Sequence, residues 1–217
     1  MRKLIYTSNF GRYDTIRPPL VITPGWDYVC VTDFPRPDTG WNTMAYNNPK
    51  MPRWLIAREP KIKFNDFFPN YDISIYIDSS MEINTNLDNF LEGKLSDSAD
   101  MAIMQHPERH CVYNEIYACV VHDRISKADS AKISNKYRAE EIPKIGGMTE
   151  NRVIIRKHDR PNLDKFCDLW FEETKFTTRD QISFMYTYYK NRIISFNLFS
   201  AQEVYSCFNK YRHKDGP

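Results

Sequence analysis

The sequence predicts an α/β sandwich: a central, mostly parallel sheet flanked by helices. Three observations carry that class. Short, nearly continuous apolar runs recur along the chain, as in strands buried on both faces. Segments with apolar residues at helical spacing lie between them. No Gly/Ser linker, repeat or low-complexity tract divides the 217 residues, so a single domain over 1–217 is expected.

The elements follow in order. Residues 3–8 (KLIYTS), 28–32 (YVCVT), 73–77 (ISIYI), 101–104 (MAIM) and 153–155 (VII) read as strands. Residues 53–64 carry a helical pattern that Pro60 would break or kink. Residues 87–95 follow an Asn-rich cap, and 108–121 and 126–139 also read as helices. The stretch 163–173 places Leu163, Phe166, Cys167, Leu169 and Trp170 on one face, and 179–190 begins a further helix with Thr177 or Thr178 as its cap. Ligands of such sheets gather at the carboxyl ends of the strands, so the polar residues there are the ones of interest.

Composition narrows the function. Thirty Lys+Arg against 28 Asp+Glu leave a net charge of +2, too balanced for a protein that lives on nucleic-acid phosphates. No stretch approaches the ~20 apolar residues of a membrane span, and the first residues turn polar too soon for a signal peptide. Cys30, Cys111, Cys119, Cys167 and Cys207 form no CxxC pair. They read as reduced, mostly core thiols, which makes a cytoplasmic location the expectation. Aromatic residues reach 14%, enough to fill a core and also to line a sugar- or base-binding cleft.

Asp78 is the sharpest single residue. It closes an apolar strand and precedes Ser79 and Ser80, whose small side chains allow phosphate oxygens close approach. A carboxylate there can hold a hard divalent cation beside a diphosphate, or simply cap the following turn. The run 78–82 lacks the second Asp and the Thr of a DxDxT phosphatase, and the chain has neither a GxxxxGK[ST] loop nor a GxGxxG fingerprint. Arg58 and Lys61 lie three apart upstream of Asp78, where they can meet a phosphate or form a solvated face. Thr7, Ser8 and Asn9 close the first strand and Asp33 the second. They are placed to read a base or ribose or to make turns, and Tyr6 and Phe10 can stack on a base. The block from His106 through Arg109 and Cys111 to Glu115 packs many polar groups after the fourth strand. Arg179, Asp180 and Gln181 open a helix and can hydrogen-bond sugar hydroxyls, and the helix dipole favours an ionised Asp180. The tail Tyr211-Arg212-His213-Lys214 is either a flexible end or a segment that orders over a diphosphate.

In combination these residues resemble a known family. The carriers are Tyr6-Thr7-x-x-Phe10-Gly11-x-Tyr13-Asp14, Asp27-Tyr28-x-Cys30-x-Thr32-Asp33, the Arg58/Lys61 pair, Phe68-Pro69-x-Tyr71-Asp72 running into Asp78, the His106–Glu115 block, and Arg179-Asp180-Gln181-x-Ser183-Phe184. They resemble the glycosyltransferases of plant turgor regulation and mucilage synthesis and their bacterial and viral relatives. Among these the likeness is strongest to a glycosyltransferase domain of chlorella-virus capsid-glycan synthesis.

The resemblance implies a GT-A-like α/β/α sandwich that binds a UDP-sugar with Mn2+, or Mg2+ in its place, and passes the sugar to a glycan or glycoprotein acceptor. It implies Asp180 and Gln181 under the donor sugar as the catalytic residues, and Asp78, Ser80 and His213 at the metal. Ser80 stands where that fold has its second Asp, which makes a ligand from the tail more valuable. Tyr6, Thr7, Arg12, Asp33, Arg58 and Lys61 are expected at the donor, as are Ser79, Ser80, His106 and Arg109. Such a domain can stand within a longer multidomain chain, and a viral member would act in the host cytoplasm. Two other functions compete. A sugar-nucleotide nucleotidyltransferase would need a Gly-rich loop after the first strand, and 8–14 is poor in Gly. A non-catalytic glycan-binding module would keep the aromatics without needing Asp78, Arg58, Lys61 and His213 together.

Overall fold

Residues 1–35 and 39–213 are described by a computed structural model. The run at 3–8 becomes β1 (Lys3–Asn9), followed by β2 (Trp26–Thr32) and β3 (Asn42–Ala45). Pro60 does break the pattern over 53–64. Three one-turn helices stand there, α1 (Arg53–Ile56), α2 (Glu59–Ile62) and α3 (Phe64–Phe67), with the proline in the first turn of α2, where its missing N–H costs nothing. Next come β4 (Ile73–Ile77), β5 (Met81–Ile83), α4 (Leu87–Leu91), β6 (Met101–Gln105), α5 (Val112–Val121) and α6 (Lys127–Ala139). The chain continues through β7 (Thr149–Lys157), α7 (Pro161–Thr177), α8 (Asp180–Asn191), β8 (Phe196–Phe199), α9 (Ala201–Cys207) and β9 (Phe208–Lys210).

The main sheet has seven strands in the order β3-β2-β1-β4-β7-β6-β8. All run parallel except β7, which is antiparallel to both of its neighbours. The strand alternation sends Leu4 and Tyr6 into one core and Ile5 into the other, so hydrophobic clusters cover both faces. The larger is closed by α1–α3 and α5–α8, the smaller by α4, α9 and the β5–β9 ribbon. The fold is therefore the expected mixed, mostly parallel α/β/α sandwich.

Several boundaries differ from expectation. β3, β5, β8 and β9 have only three or four residues, and of the edge strands β3 is largely exposed and β8 mostly half-buried, so neither length nor alternation marks them. β7 begins at Thr149, not 153, because its polar first half is buried beside β6. α5 starts at Val112 rather than 108: the backbone N–H groups of Glu108 and Arg109 both donate to His106 Nδ1 at 3.1 Å, and this side-chain turn replaces the first helical bonds. Neither Thr177 nor Thr178 caps α8. Thr178 ends α7 in the left-handed conformation, φ 59°, and Arg179 is the capping residue. α9 carries a capping box, Ser200 with Glu203, that the Ser-x-x-Glu spacing announces. The five cysteines are free thiols, four of them buried. Among the described residues no helix is long and apolar enough to cross a membrane.

Trp170 of α7 is fully buried, edge-on to Phe184 of α8 with centroids 5.1 Å apart, and its Nε1–H donates to the Asp180 carbonyl at 2.8 Å. It joins the helix pair to the start of α8. Trp170→Ala should cost ~3–5 kcal/mol of stability, read as a lower urea midpoint. A loss under ~1 kcal/mol would mean that the site collapses freely around the missing ring.

Candidate functional site

The carboxyl ends of β1, β4 and β6, the amino end of the antiparallel β7 and the start of α8 meet at one edge of the sheet. Asp78 follows β4 there, and its backbone N–H donates to the Arg152 carbonyl of β7 at 2.9 Å. Its Oδ1 accepts from the Tyr76 hydroxyl at 3.1 Å and from Lys61 Nζ at 3.2 Å. Lys61 also lies 2.7 Å from Asp180 Oδ2, and Arg58 Nε lies 3.5 Å from Asp180 Oδ1. The broken helical stretch produces this convergence. Arg58 occupies the turn between α1 and α2, and its Nη1 donates to the Trp54 carbonyl at 2.6 Å, while Lys61 projects from α2. The sequence-predicted Asp78, Arg58, Lys61 and Asp180 thus form one cluster.

The cluster is electrostatically tight. Burial alone would raise the Asp180 carboxyl, but Lys61, Arg58 and Arg179 hold it well below the usual carboxylate range. Burial lowers Arg58, and Asp180 opposes that effect. Burial and the Asp78 charge push the Tyr76 hydroxyl up, which keeps it a donor to Asp78. The neighbouring cations, more than the helix dipole, keep Asp180 ionised. Its backbone carbonyl is fixed by Asn151 Nδ2 at 3.1 Å and by Trp170, and Gln181 Nε2 donates to the Thr149 carbonyl at 3.4 Å.

On one side lies the His106 block. Arg109 Nε is 3.1 Å from Glu115 Oε2, and His106 Nε2 is 3.8 Å from the same oxygen. Burial raises Glu115 despite Arg109, and burial lowers His106. On the other side a small cavity opens at the ends of β1–β3, lined among others by Asn9, Arg12, Asp14, Thr32, Phe34 and Thr43. The Arg12 guanidinium covers the Phe34 ring at 3.7 Å, and Asp33 accepts from the Gly11 N–H at 2.9 Å. Gly11 has φ +66°, and a Cβ there would come within 2.8 Å of Arg53 Nη1, so the turn carrying Arg12 requires glycine.

Tyr6 departs from expectation. It is fully buried, its ring against Phe68 and Tyr76 and its hydroxyl accepting from Arg156 Nη1 at 2.8 Å, so it has no open face for a base. Burial lifts its pKa to about 12. Thr7 is also buried, and Phe10 packs edge-on to Tyr46.

The tail also differs. β9 pairs with β5, the Tyr211 N–H donates to the Ser80 carbonyl at 2.9 Å, and the Tyr211 hydroxyl and Asn209 Nδ2 both reach Glu82 Oε2, at 2.8 and 2.9 Å. Arg17 stacks over Tyr211 at 3.5 Å. His213 Nδ1 is 2.8 Å from Asp14 Oδ1, and Asp14 Oδ2 accepts from the Ser79 hydroxyl. Of the two readings of the tail, a flexible end does not fit residues 211–213, which form a strap docked across 79–82. Lys214 lies outside the described residues.

The donor set suits a cation shared with a bound ligand. Among the described residues no three His, Cys, Asp or Glu side chains converge as a cage. The part-exposed Asp78 stands near Ser80, whose buried Oγ has no hydrogen-bond partner, and the strap brings His213 to the same turn. One or two protein carboxylates completed by ligand phosphates is a common arrangement for Mg2+-type ions.

Sequence reasoning passed over Asp14, Glu150, Asn151 and Arg152. Arg152 Nε donates to Glu150 Oε1 at 2.8 Å, and against the pull of burial the charges of Glu150 and Asp78 raise its pKa. Asp14 was visible in the Phe10–Asp14 motif. The other three sit in the polar half of β7, which carries no periodic signal.

Asp180→Asn strips the charge that balances Arg58 and Lys61 in a buried position and should cost ~3–5 kcal/mol. The folded-state pKa of Asp180 is depressed below its unfolded value of ~3.9. Its stabilisation is therefore present above that pH and is lost as pH falls through the folded pKa. Urea midpoints measured on acidification below about pH 4 should drop more steeply in the wild type than in Asp180→Asn, and parallel curves would assign the acid transition to other carboxylates.

A family model described as "TOD1/MUCI70, glycosyltransferase-like domain" matches residues 42–213. An Arabidopsis thaliana protein named probable hexosyltransferase MUCI70 is 31% identical over 175 residues, covering 73% of this chain and 26% of its own. A second protein of that plant, named alkaline ceramidase TOD1, is 24% identical over 184 residues, covering 77% of this chain and 38% of its own. The chain spans from about a quarter to under two fifths of the length of these relatives.

Proposed function

The chain belongs to the TOD1/MUCI70 glycosyltransferase-like family, and on that premise we propose that it transfers a hexose or deoxyhexose from a UDP-sugar to a glycan or glycoprotein acceptor. The carrying observation is the convergence of Lys61 and Arg58 with Asp78 and Asp180 at the carboxyl end of the sheet. A sugar leaves its nucleotide as negative charge builds on a diphosphate. A pre-placed ammonium and guanidinium in a half-enclosed site stabilise that charge without reorganisation. Asp180 holds both cations in place and lies with Gln181 on the sugar side. The Gln181 amide nitrogen is engaged by Thr149, which leaves its oxygen for a sugar hydroxyl. The small cavity at the ends of β1–β3, with Arg12 in its lining, marks the side on which the nucleoside would lie, and Asp33 stands on the adjoining Gly11 turn. Asp78, Ser80 and His213 would hold Mn2+ or Mg2+ together with the diphosphate. Such an ion, when bound, neutralises charge on the leaving group. If the motif resemblance to a viral capsid-glycan enzyme extends to function, the acceptor would be assembled in a host cytoplasm.

The second relative's name points to hydrolysis of a sphingolipid amide. Cations beside carboxylates suit a departing diphosphate better than a departing amine, which needs a proton rather than a counter-charge.

Calorimetry should show UDP binding that strengthens with Mn2+, with GDP and CMP binding poorly. Equal UDP affinity in EDTA would remove the metal from the proposal. Asp78→Asn should lower turnover of a UDP-sugar by orders of magnitude while shifting Tm little. Wild-type turnover would reduce Asp78 to a turn residue. Release of fatty acid from a ceramide, without transfer from any UDP-sugar, would favour the hydrolase reading.

A further inference from the structure

Asp14 is a buried carboxylate, 5% exposed, in the loop after β1, and the activity proposed above gives it no task. Asn9 fixes its backbone from both sides: Asp14 N–H donates to Asn9 Oδ1 at 3.1 Å, and Asn9 Nδ2 donates to the Asp14 carbonyl at 2.9 Å. Its carboxylate divides its oxygens between two segments far apart in the chain. Oδ2 accepts from the Ser79 hydroxyl beside Asp78, and Oδ1 faces His213 Nδ1 at 2.8 Å. The Tyr13 ring lies 4.9 Å from the His213 ring and restricts its plane.

We propose that Asp14 is the positioning residue of the tail: it fixes the orientation and tautomer of His213 so that Nε2 presents a lone pair to a divalent cation or to the groups around it. The inference rests on the donor-and-cation reading of the site. An ionised carboxylate only accepts, so the nitrogen 2.8 Å away must carry the proton. In the neutral ring Nε2 is then bare, and it has no partner among the described residues. A carboxylate behind an imidazole is the general device that sets which nitrogen of a metal-binding histidine faces the ion and raises its basicity. The bond from Ser79 ties the same carboxylate to the Asp78 turn, so one group holds the strap and the strand end in register.

Two measurements on the full chain decide this. Long-range proton–nitrogen NMR of the free wild type should find the neutral His213 ring protonated at Nδ1 and bare at Nε2. The opposite tautomer overturns the proposal without any variant, should Asp14→Ala fail to fold. Calorimetry of UDP with Mn2+ should show Asp14→Ala weakened by ~10–100-fold, with UDP affinity in EDTA unchanged. Equal Mn2+-dependent affinity in wild type and Asp14→Ala overturns the assignment of Asp14 and leaves the UDP reading standing. Absence of UDP binding to the wild type, with or without Mn2+, overturns the donor reading and this inference with it.

Discussion

The ionised, buried Asp180 between Lys61 and Arg58 is the constraint on which the site depends. Its carboxylate is nearly enclosed, and removing such a charge from water costs several kcal/mol unless cations sit against it. Lys61 and Arg58 supply them, and the three short turns into which Pro60 breaks the segment before β4 bring both to one carboxylate. Lys61 then extends the network to Asp78, which joins the start of α8 to the end of β4. A ligand that enters this corner meets side chains already fixed by one another, the pre-organisation that electrostatic stabilisation of a leaving group requires.

The antiparallel β7 is the second organising feature. Running against its neighbours, it brings its amino end, Thr149 to Arg152, to the edge where β4 and β6 end. Asn151 grips the Asp180 carbonyl, and the Arg152 carbonyl receives the Asp78 N–H. A parallel strand in that place would bring its apolar carboxyl half instead. From the far end of the chain, Glu82 collects Asn209 and Tyr211, and the β5–β9 ribbon lays the strap across 79–82.

Much of the site was legible because its residues close predicted strands or open predicted helices, where polar groups stand out against apolar runs. Asp78 after ISIYI and Asp180 at a helix start are of that kind. Tyr6 misled because a hydroxyl-bearing ring near a strand end looks accessible, while its register points it inward to Arg156. Glu150, Asn151 and Arg152 stayed hidden because buried polar residues in an irregular strand half have the composition of a solvated turn.

The sequence by itself determined the sandwich class, the five longer strands, the main helices and the strand-end carboxylate, since hydrophobic periodicity is a local property fixed by neighbours along the chain. It also contained the likeness to the glycosyltransferase-like family over residues 42–213. Tertiary structure alone decided the direction of β7, the pairing of the three- and four-residue strands and the meeting of Lys61 with Asp180. It also decided the docking of His213 on Asp14. The Lys61–Asp180, β5–β9 and His213–Asp14 contacts join residues 119 to 199 positions apart, and they are made by backbone ladders and paired charges that only the folded chain brings together, which no local pattern records.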